Sequence, residues 1–178
     1  MVPVIEASGL FSSINTIICV GIFDPENFKE PFIYFVRDPN EEIKALEWLR
    51  GQIVKFKYTA LAGWNSKRYD LPFLAGRALE LDFHFPELHN LFHLDLIEIV
   101  KEKFKLHSYR LEHVCKWLGI PQNNNTKGWM IDSIYHKSLI GDKQAEEQIK
   151  EHCKNDLLTL AKLFQRLKPY LNFITTNR

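Results

Sequence analysis

The sequence has few cysteines, and they are not spaced as a metal site or a disulfide framework would space them. Cys19, Cys115 and Cys153 are an odd set in 178 residues, and none belongs to a Cys-x-x-Cys pair. A disulfide scaffold and a cysteine-bound zinc ion are therefore both disfavoured. A reducing, cytoplasmic setting is expected.

Long apolar runs and an excess of one charge are also missing. No stretch approaches the roughly 18 apolar residues of a membrane span, and no basic segment followed by an apolar stretch suggests a signal peptide. The net charge is only +1. This value argues against a broadly basic surface for duplex DNA, so any contact with nucleic acid must be a local patch.

The composition is that of a globular protein, with 46% hydrophobic and 13% aromatic residues. Strands are predicted at 2–5, 14–23, 32–36, 58–62 and 92–97. Helices are predicted at 38–56, 71–81, 111–118 and 143–167, with a further short helix that follows the last strand and ends near residue 103. The first three strands are close enough in sequence to form an antiparallel meander. Helices then alternate with further strands, which predicts an α/β fold with a mixed sheet flanked by helices, as one domain over residues 1–178. A polar segment at 122–128, with three consecutive asparagines, is predicted to be a mobile loop.

Asp70 stands at a junction between a strand and a helix. The β-prone run before it stops at Gly63, and apolar residues after it recur at helical spacing from Leu71. Asp70 would thus follow the carboxyl end of a strand, where open α/β sheets bind ligands. The alternative is that Asp70 only caps the helix.

The last helix carries an aspartate on its apolar face. At 100° per residue, Asp156 lies near the centre of the apolar stripe and His152 at its edge, one turn earlier. An ionised carboxylate facing a core is costly unless it is paired or bound to a metal. A buried arginine partner would be the purely structural explanation.

Two further carboxylates are candidates for the same kind of site. Glu6 directly follows a short apolar strand, and Asp95 interrupts the apolar run from Leu91 to Val100. Each also has an ordinary explanation, as a strand end or a local cap. Carboxylate oxygens of this kind favour Mg²⁺ or Mn²⁺ over zinc.

Together these positions resemble the DnaQ-like 3′–5′ exonucleases of the ribonuclease H-like fold. The most similar branch has a tyrosine in its third motif and includes the proofreading domains of family B DNA polymerases. The segment from Gly63 to Ala78 resembles the second motif, in which an Asn precedes an aromatic residue and an Asp. The resemblance implies that Asp70 is a metal ligand and that Asn65 positions the nucleic-acid strand.

The third motif resembles the segment from His152 to Leu160. There the resemblance implies that Asp156 is a metal ligand. His152 stands where the family's tyrosine would orient the attacking water, and a histidine there can act as a general base.

The first motif departs from the family, which has Asp-x-Glu-Thr. Glu6 matches the glutamate and is implied to be a metal ligand, but Val4 stands where the aspartate that bridges two metal ions belongs. Three interpretations follow: weakened activity in which Asp95 or another residue compensates, a binding protein that has lost catalysis, or an inactive variant made for study.

The implied substrate is the 3′ end of single-stranded nucleic acid, with DNA favoured over RNA and a two-ion Mg²⁺ or Mn²⁺ site. Residues near the motifs are predicted to contact the strand: the apolar and aromatic Leu10, Trp64, Tyr69 and Phe73 with its bases, and Lys67 and Arg68 with its phosphates. The structural alternatives are that the aromatic residues belong to the core and that Lys67 and Arg68 lie at a solvated loop tip.

Three functional classes therefore remain open. The first is a metal-dependent 3′–5′ exonuclease, with a replication or repair partner and no membrane association. The second is a degenerate relative that binds single strands, and the third is a structural subunit that binds neither metal nor strand. The sequence leaves the oligomeric state open.

Overall fold

The computed structural model describes residues 1–122 and 126–171. Its strands are β1 (Val2–Ala7), β2 (Ile17–Phe23), β3 (Phe32–Phe35), β4 (Ala60–Gly63) and β5 (Phe92–Asp95). Its helices are α1 (Ile43–Lys55), α2 (Asp70–Glu80), α3 (Pro86–Asn90), α4 (Leu96–Lys103), α5 (Leu111–Trp117), α6 (Ile131–Leu139) and α7 (Lys143–Leu167). Short 3₁₀ turns cover Pro39–Glu41, Gly128–Met130 and Lys168–Tyr170. The expected α/β architecture is confirmed.

The strands form a mixed arrangement around β1. Strands β1, β2 and β3 are an antiparallel meander, and β4 pairs with β5 in parallel. Strand β4 lies beside β1, where the Ala62 N–H donates to the Met1 carbonyl at 2.9 Å. β1 is therefore flanked by β2 and β4 and occupies the middle of the structure.

Helices cover both faces of these strands. Helix α7 packs against β1, β2 and β3. Its apolar face shares one core with Val4 and with α4, α5 and α6. A second core joins α1, α2 and α3 to β2 and β4. Strand β2 is buried along its whole length because it contributes side chains to both cores.

Several element boundaries differ from the sequence-based expectation. Strand β2 begins at Ile17 and not at Ile14, because the N–H groups of Ile14 and Asn15 both donate to the Phe11 carbonyl in a turn. Helices α3 and α6 were not predicted. The predicted strand at 92–97 is shorter, since the Asp95 carboxylate caps α4 by accepting from the Ile97 N–H at 3.3 Å.

Part of the predicted mobile loop at 122–128, namely 123–125, lies outside the described residues. Just after it, Thr126 is buried and its hydroxyl accepts a hydrogen bond from the Gln148 amide at 2.9 Å. Across the two described ranges, no helix combines the length and apolarity needed to cross a bilayer.

Candidate functional site

Strand β1 supplies the first residue of the site. Side chains alternate along this strand, and Val2, Val4 and Glu6 fall on its buried face. Glu6 pairs with Cys19 across the sheet, and the register then shifts between Glu6 and Ala7. The glutamate therefore stands at the last regular position of the strand, facing α7.

Helix α7 supplies two more residues on the face that meets β1. His152 and Asp156 are one turn apart, which places both side chains on the same side of the helix. The His152 Nε2 atom lies 3.7 Å from Glu6 Oε2 and 3.7 Å from Asp156 Oδ2. The Asp156 side chain keeps 31% exposure whereas His152 keeps 7%. The aspartate thus lies at the edge of the buried stripe, and the histidine is the deeper residue, which reverses the order predicted from the helical period.

Glu6, His152 and Asp156 form a compact group of potential metal ligands. One ligand atom from each lies within 4.8 Å of the others. Glu6 Oε1 and His152 Nδ1 are buried and have no hydrogen-bond partner within the described ranges. Burial raises the pKa of Glu6 well above its usual range, and the neighbouring Asp156, Cys19 and Asp70 raise it further. A cation bound beside Glu6 would favour the ionised form of its carboxylate.

Asp70 lies at the start of α2 on the same side of the molecule. It is the first helical residue and not the cap, because the N-cap position belongs to Tyr69. Burial raises the pKa of Asp70 to about 7, with contributions from Asp95 and Asp156, although backbone N–H groups of Asp70 and Ile5 oppose the shift. Asp70 is thus electrostatically coupled to the group but does not belong to the three-residue cluster.

The Asp95 carboxylate holds the loop before α2. Oδ1 accepts from the Asn65 N–H at 2.6 Å and Oδ2 from the Lys67 N–H at 3.1 Å, in addition to the cap of α4. Asn65 has a φ of 57°, a left-handed conformation that asparagine tolerates better than most residues. The geometry therefore gives Asp95 the task of fixing the loop conformation.

A cleft of about 560 Å³ opens beside Glu6 and Asp70. Its wall also includes Leu10, Tyr69 and Phe73, which were predicted from the sequence, and Trp129 and Asp132, which were not. Leu10 is 71% exposed and Trp129 82% exposed, so two large apolar side chains stand at the rim without being buried by the fold. Such side chains are available to a ligand in the cleft.

The remaining predicted contacts lie around the loop at 64–69. Trp64 is half-buried and packs against the first core, outside the cleft wall. The Lys67 ammonium pairs with Glu98 at 2.6 Å. The Arg68 guanidinium lies over the Tyr69 ring at 5.7 Å. Both cations are exposed, and their role in binding phosphates stays a prediction.

Trp129 and Asp132 are the residues that sequence reasoning missed. They lie in the 3₁₀ turn at Gly128–Met130 and in the first turn of α6. The available signal was the helical spacing of Ile131, Ile134 and Tyr135, all buried, which leaves Asp132 on another face.

Comparison with known proteins identifies the fold. A family model described as the RNase_H superfamily matches residues 5–168. No curated protein matches the chain closely enough to count as a relative. A solved structure of the family B DNA polymerase from the hyperthermophilic archaeon Pyrobaculum calidifontis is similar, with a TM-score of 0.80 at 14% sequence identity. The match covers 96% of this chain and 24% of that polymerase. The ribonuclease H-like fold expected from the motifs is thereby confirmed.

Proposed function

Because the chain belongs to the RNase_H superfamily, we propose that it is a metal-dependent nuclease that removes nucleotides from the 3′ end of single-stranded nucleic acid. The observation that carries this proposal is that Glu6 and Asp70 line one cleft and that Asp156 lies close to Glu6. They come from β1, α2 and α7, which are far apart in sequence. Burial and neighbouring carboxylates raise the pKa of Glu6 and that of Asp70, and carboxyl groups perturbed in this way are typical of functional sites.

The donors present fit one divalent ion. Glu6 and Asp156 would hold it, and the buried Glu6 Oε1, which has no hydrogen-bond partner among the described residues, is the observation that supports this fit. A divalent ion bound there supplies Lewis-acid chemistry at a phosphodiester. The family's second ion would lack an oxygen donor where Val4 stands, so the two-ion arrangement is not supported at that position.

The cleft suits a single strand. A base that is not paired can stack on Trp129 or wedge against Leu10, and such contacts tolerate any sequence. Lys67 and Arg68 are close in sequence to the cleft residue Tyr69 and provide positive charge for the phosphates. We propose DNA as the preferred strand, presented by a replication or repair partner.

The test is digestion of a single strand labelled at its 5′ end, with Mn²⁺ present. We expect stepwise shortening from the 3′ end that Asp156→Asn abolishes. Glu47→Gln is the control, because Glu47 is an exposed carboxylate on α1 that belongs neither to the cleft wall nor to the ligand cluster, and this variant is expected to retain activity. The same assay with a DNA strand and with an RNA strand of the same sequence shows which of the two the chain prefers as substrate.

Val4→Asp extends the same experiment to the missing carboxylate. If the unmodified chain is inactive and Val4→Asp is active, the scaffold is that of a nuclease whose site is disabled. If all forms are inactive, including Val4→Asp, the nuclease proposal is overturned.

The second candidate is a protein that binds single strands without cleaving them. Val4 and His152 favour it, since each replaces a residue that the family uses for catalysis. This candidate is supported if a labelled strand binds the chain, is displaced by unlabelled single strand and is never shortened.

A further inference from the structure

His152 is placed unusually for a buried histidine. Its side chain is 7% exposed, yet Nδ1 has no hydrogen-bond partner among the residues that the structure describes. The carboxylate oxygens of Glu6 and Asp156 both lie 3.7 Å from Nε2, which is beyond hydrogen-bond distance. A buried polar ring without such bonds is unfavourable for the fold, so its surroundings call for an explanation.

The same three groups are spaced as ligands that share an ion. A cation about 2.0–2.3 Å from each donor separates neighbouring donors by roughly 3–3.7 Å. Two of the observed separations are 3.7 Å, and all three lie within 4.8 Å. Only a small inward movement is needed, and Glu6 Oε1, buried without a partner, is available as an additional oxygen.

We propose that His152 is a nitrogen ligand of a single divalent-ion site completed by Glu6 and Asp156, and that this site binds Mn²⁺, Co²⁺ or Zn²⁺ in preference to Mg²⁺. The inference deepens the proposed function, because it concerns the same cluster. It differs from the sequence-based expectation, in which His152 acts on the attacking water. A nitrogen that donates its lone pair to an ion is no longer a base.

The preference for a transition metal follows from the donor set. Imidazole suits first-row transition ions, whereas Mg²⁺ favours a shell of oxygens and dehydrates reluctantly. Replacing one oxygen donor by nitrogen therefore raises the affinity for Mn²⁺, Co²⁺ and Zn²⁺ more than the affinity for Mg²⁺. Val4 acts in the same direction, since it withholds a carboxylate that would favour a second, oxygen-bound ion.

The chain contains a matched control for the histidine. His136 Nε2 lies 3.8 Å from Asp132 Oδ1, also across one helical turn, but its side chain is 72% exposed. This pair does not belong to a three-residue ligand group within the described chain. His136→Gln is therefore expected to leave metal binding unchanged, whereas His152→Gln is not.

The experiment is titration of the metal-free chain with Mn²⁺ and, separately, Mg²⁺, by calorimetry, with pulsed electron paramagnetic resonance of the Mn²⁺ complex. We expect one Mn²⁺ per chain, a ¹⁴N coupling that marks a directly bound imidazole, and at least tenfold weaker binding of Mg²⁺. In His152→Gln the ¹⁴N coupling disappears and the ratio of Mn²⁺ to Mg²⁺ affinity falls at least fivefold, while His136→Gln retains both.

Several outcomes would overturn the inference: bound Mn²⁺ without a ¹⁴N coupling, two ions per chain with equal affinity for Mg²⁺, or no binding at millimolar Mn²⁺. None of these measurements uses a nucleic acid. A chain that binds Mn²⁺ through His152 but cleaves nothing would contradict the nuclease proposal alone, and a nuclease without the ¹⁴N coupling would contradict the ligand assignment alone.

Discussion

In the proposed metal site, we expect a single apolar residue, Val4, to limit the number of ions that bind. Val4 and Glu6 alternate onto the same face of β1, two positions apart. Val4 is 8% exposed and belongs to the core that also contains Cys153 and Leu157. Val4 therefore packs with apolar side chains and offers no oxygen, and the oxygens of the three-residue group come from Glu6 and Asp156. This distribution favours one ion beside α7.

The carboxyl groups of the site make the stability of the metal-free chain depend on pH. The pKa of Asp70 is raised from its ordinary 3.8 to about 7, and that of Glu6 is also raised. A carboxyl that binds its proton more tightly in the folded state stabilises the fold below its unfolded pKa. That stabilisation is lost as pH rises through the folded pKa.

We therefore expect the free energy of unfolding in a metal chelator to fall between about pH 4 and pH 7. For Asp70 the loss is at most about 4 kcal/mol, at about 1.4 kcal/mol per pKa unit. Urea unfolding at pH 5 and pH 8 measures it, with Asp70→Asn expected to flatten the profile and Mn²⁺ to restore stability at pH 8. A chelated chain that is more stable at pH 8 than at pH 5 would contradict this assignment.

At the residue scale, the sequence indicated which side chains are candidates for the site, but it was less informative about how deeply each of them is buried. An aspartate after a strand and another on an apolar helical face were enough to select Asp70 and Asp156. The burial of His152 was underestimated because a helical period describes one helix alone, and it is β1 that covers this side of α7. The roles of these residues stay predictions until they are tested.

At the element scale, long or sharply bounded segments were predictable and short ones were not. Helix α7 runs for 25 residues with a continuous apolar stripe and an Asp142 cap that accepts from the Gln144 and Ala145 N–H groups. Helix α6 has 9 residues and follows a polar segment. Its apolar residues therefore repeat over too few turns for the helical spacing to be recognised in the sequence. Helix α3, with 5 residues, is shorter still.

The turn before α6 provides a prediction about strand binding. Trp129 is 82% exposed and lines the cleft, so Trp129→Ala removes a stacking surface with little effect on the core. One stacked base contributes about 1–3 kcal/mol, so we expect single-strand binding to weaken by roughly 5- to 150-fold. Fluorescence anisotropy of a labelled oligonucleotide measures the change, while thermal unfolding is expected to be almost unaffected.

Trp117→Ala is the matched control for this prediction. Trp117 is 50% exposed, packs against Phe104 and does not line the cleft. Equal losses of affinity in the two variants would show that Trp129 has no particular role in binding.

At the scale of the whole molecule, we expect the position of Leu10 in the cleft wall to depend on a buried ion pair between Glu42 and Arg77. Glu42, just before α1, and Arg77 on α2 are 2% and 5% exposed and pair at 2.6 Å. Glu42 Oε1 also accepts from the Ile17 N–H at 2.7 Å, and Arg77 donates to the Ser12 carbonyl at 2.8 Å. The pair thus joins two helices to the start of β2 and to the segment that carries Leu10.

Removing one partner of this pair leaves the other charge buried. We expect Arg77→Met to lower the free energy of unfolding by about 3–5 kcal/mol, as breaking buried ion pairs generally does. Adding Glu42→Gln to that variant recovers part of the loss, since the remaining group is then neutral and can still accept from the Ile17 N–H. Urea unfolding of the four forms in a double-mutant cycle measures the coupling between the two side chains.

Arg50→Met is the control. Arg50 pairs with Glu87, but 39% of its side chain is exposed, so this substitution is expected to lower the free energy of unfolding by less than about 1 kcal/mol. If Arg77→Met costs no more than Arg50→Met, the buried pair does not fix the segment behind the cleft, and the position of Leu10 must depend on other contacts.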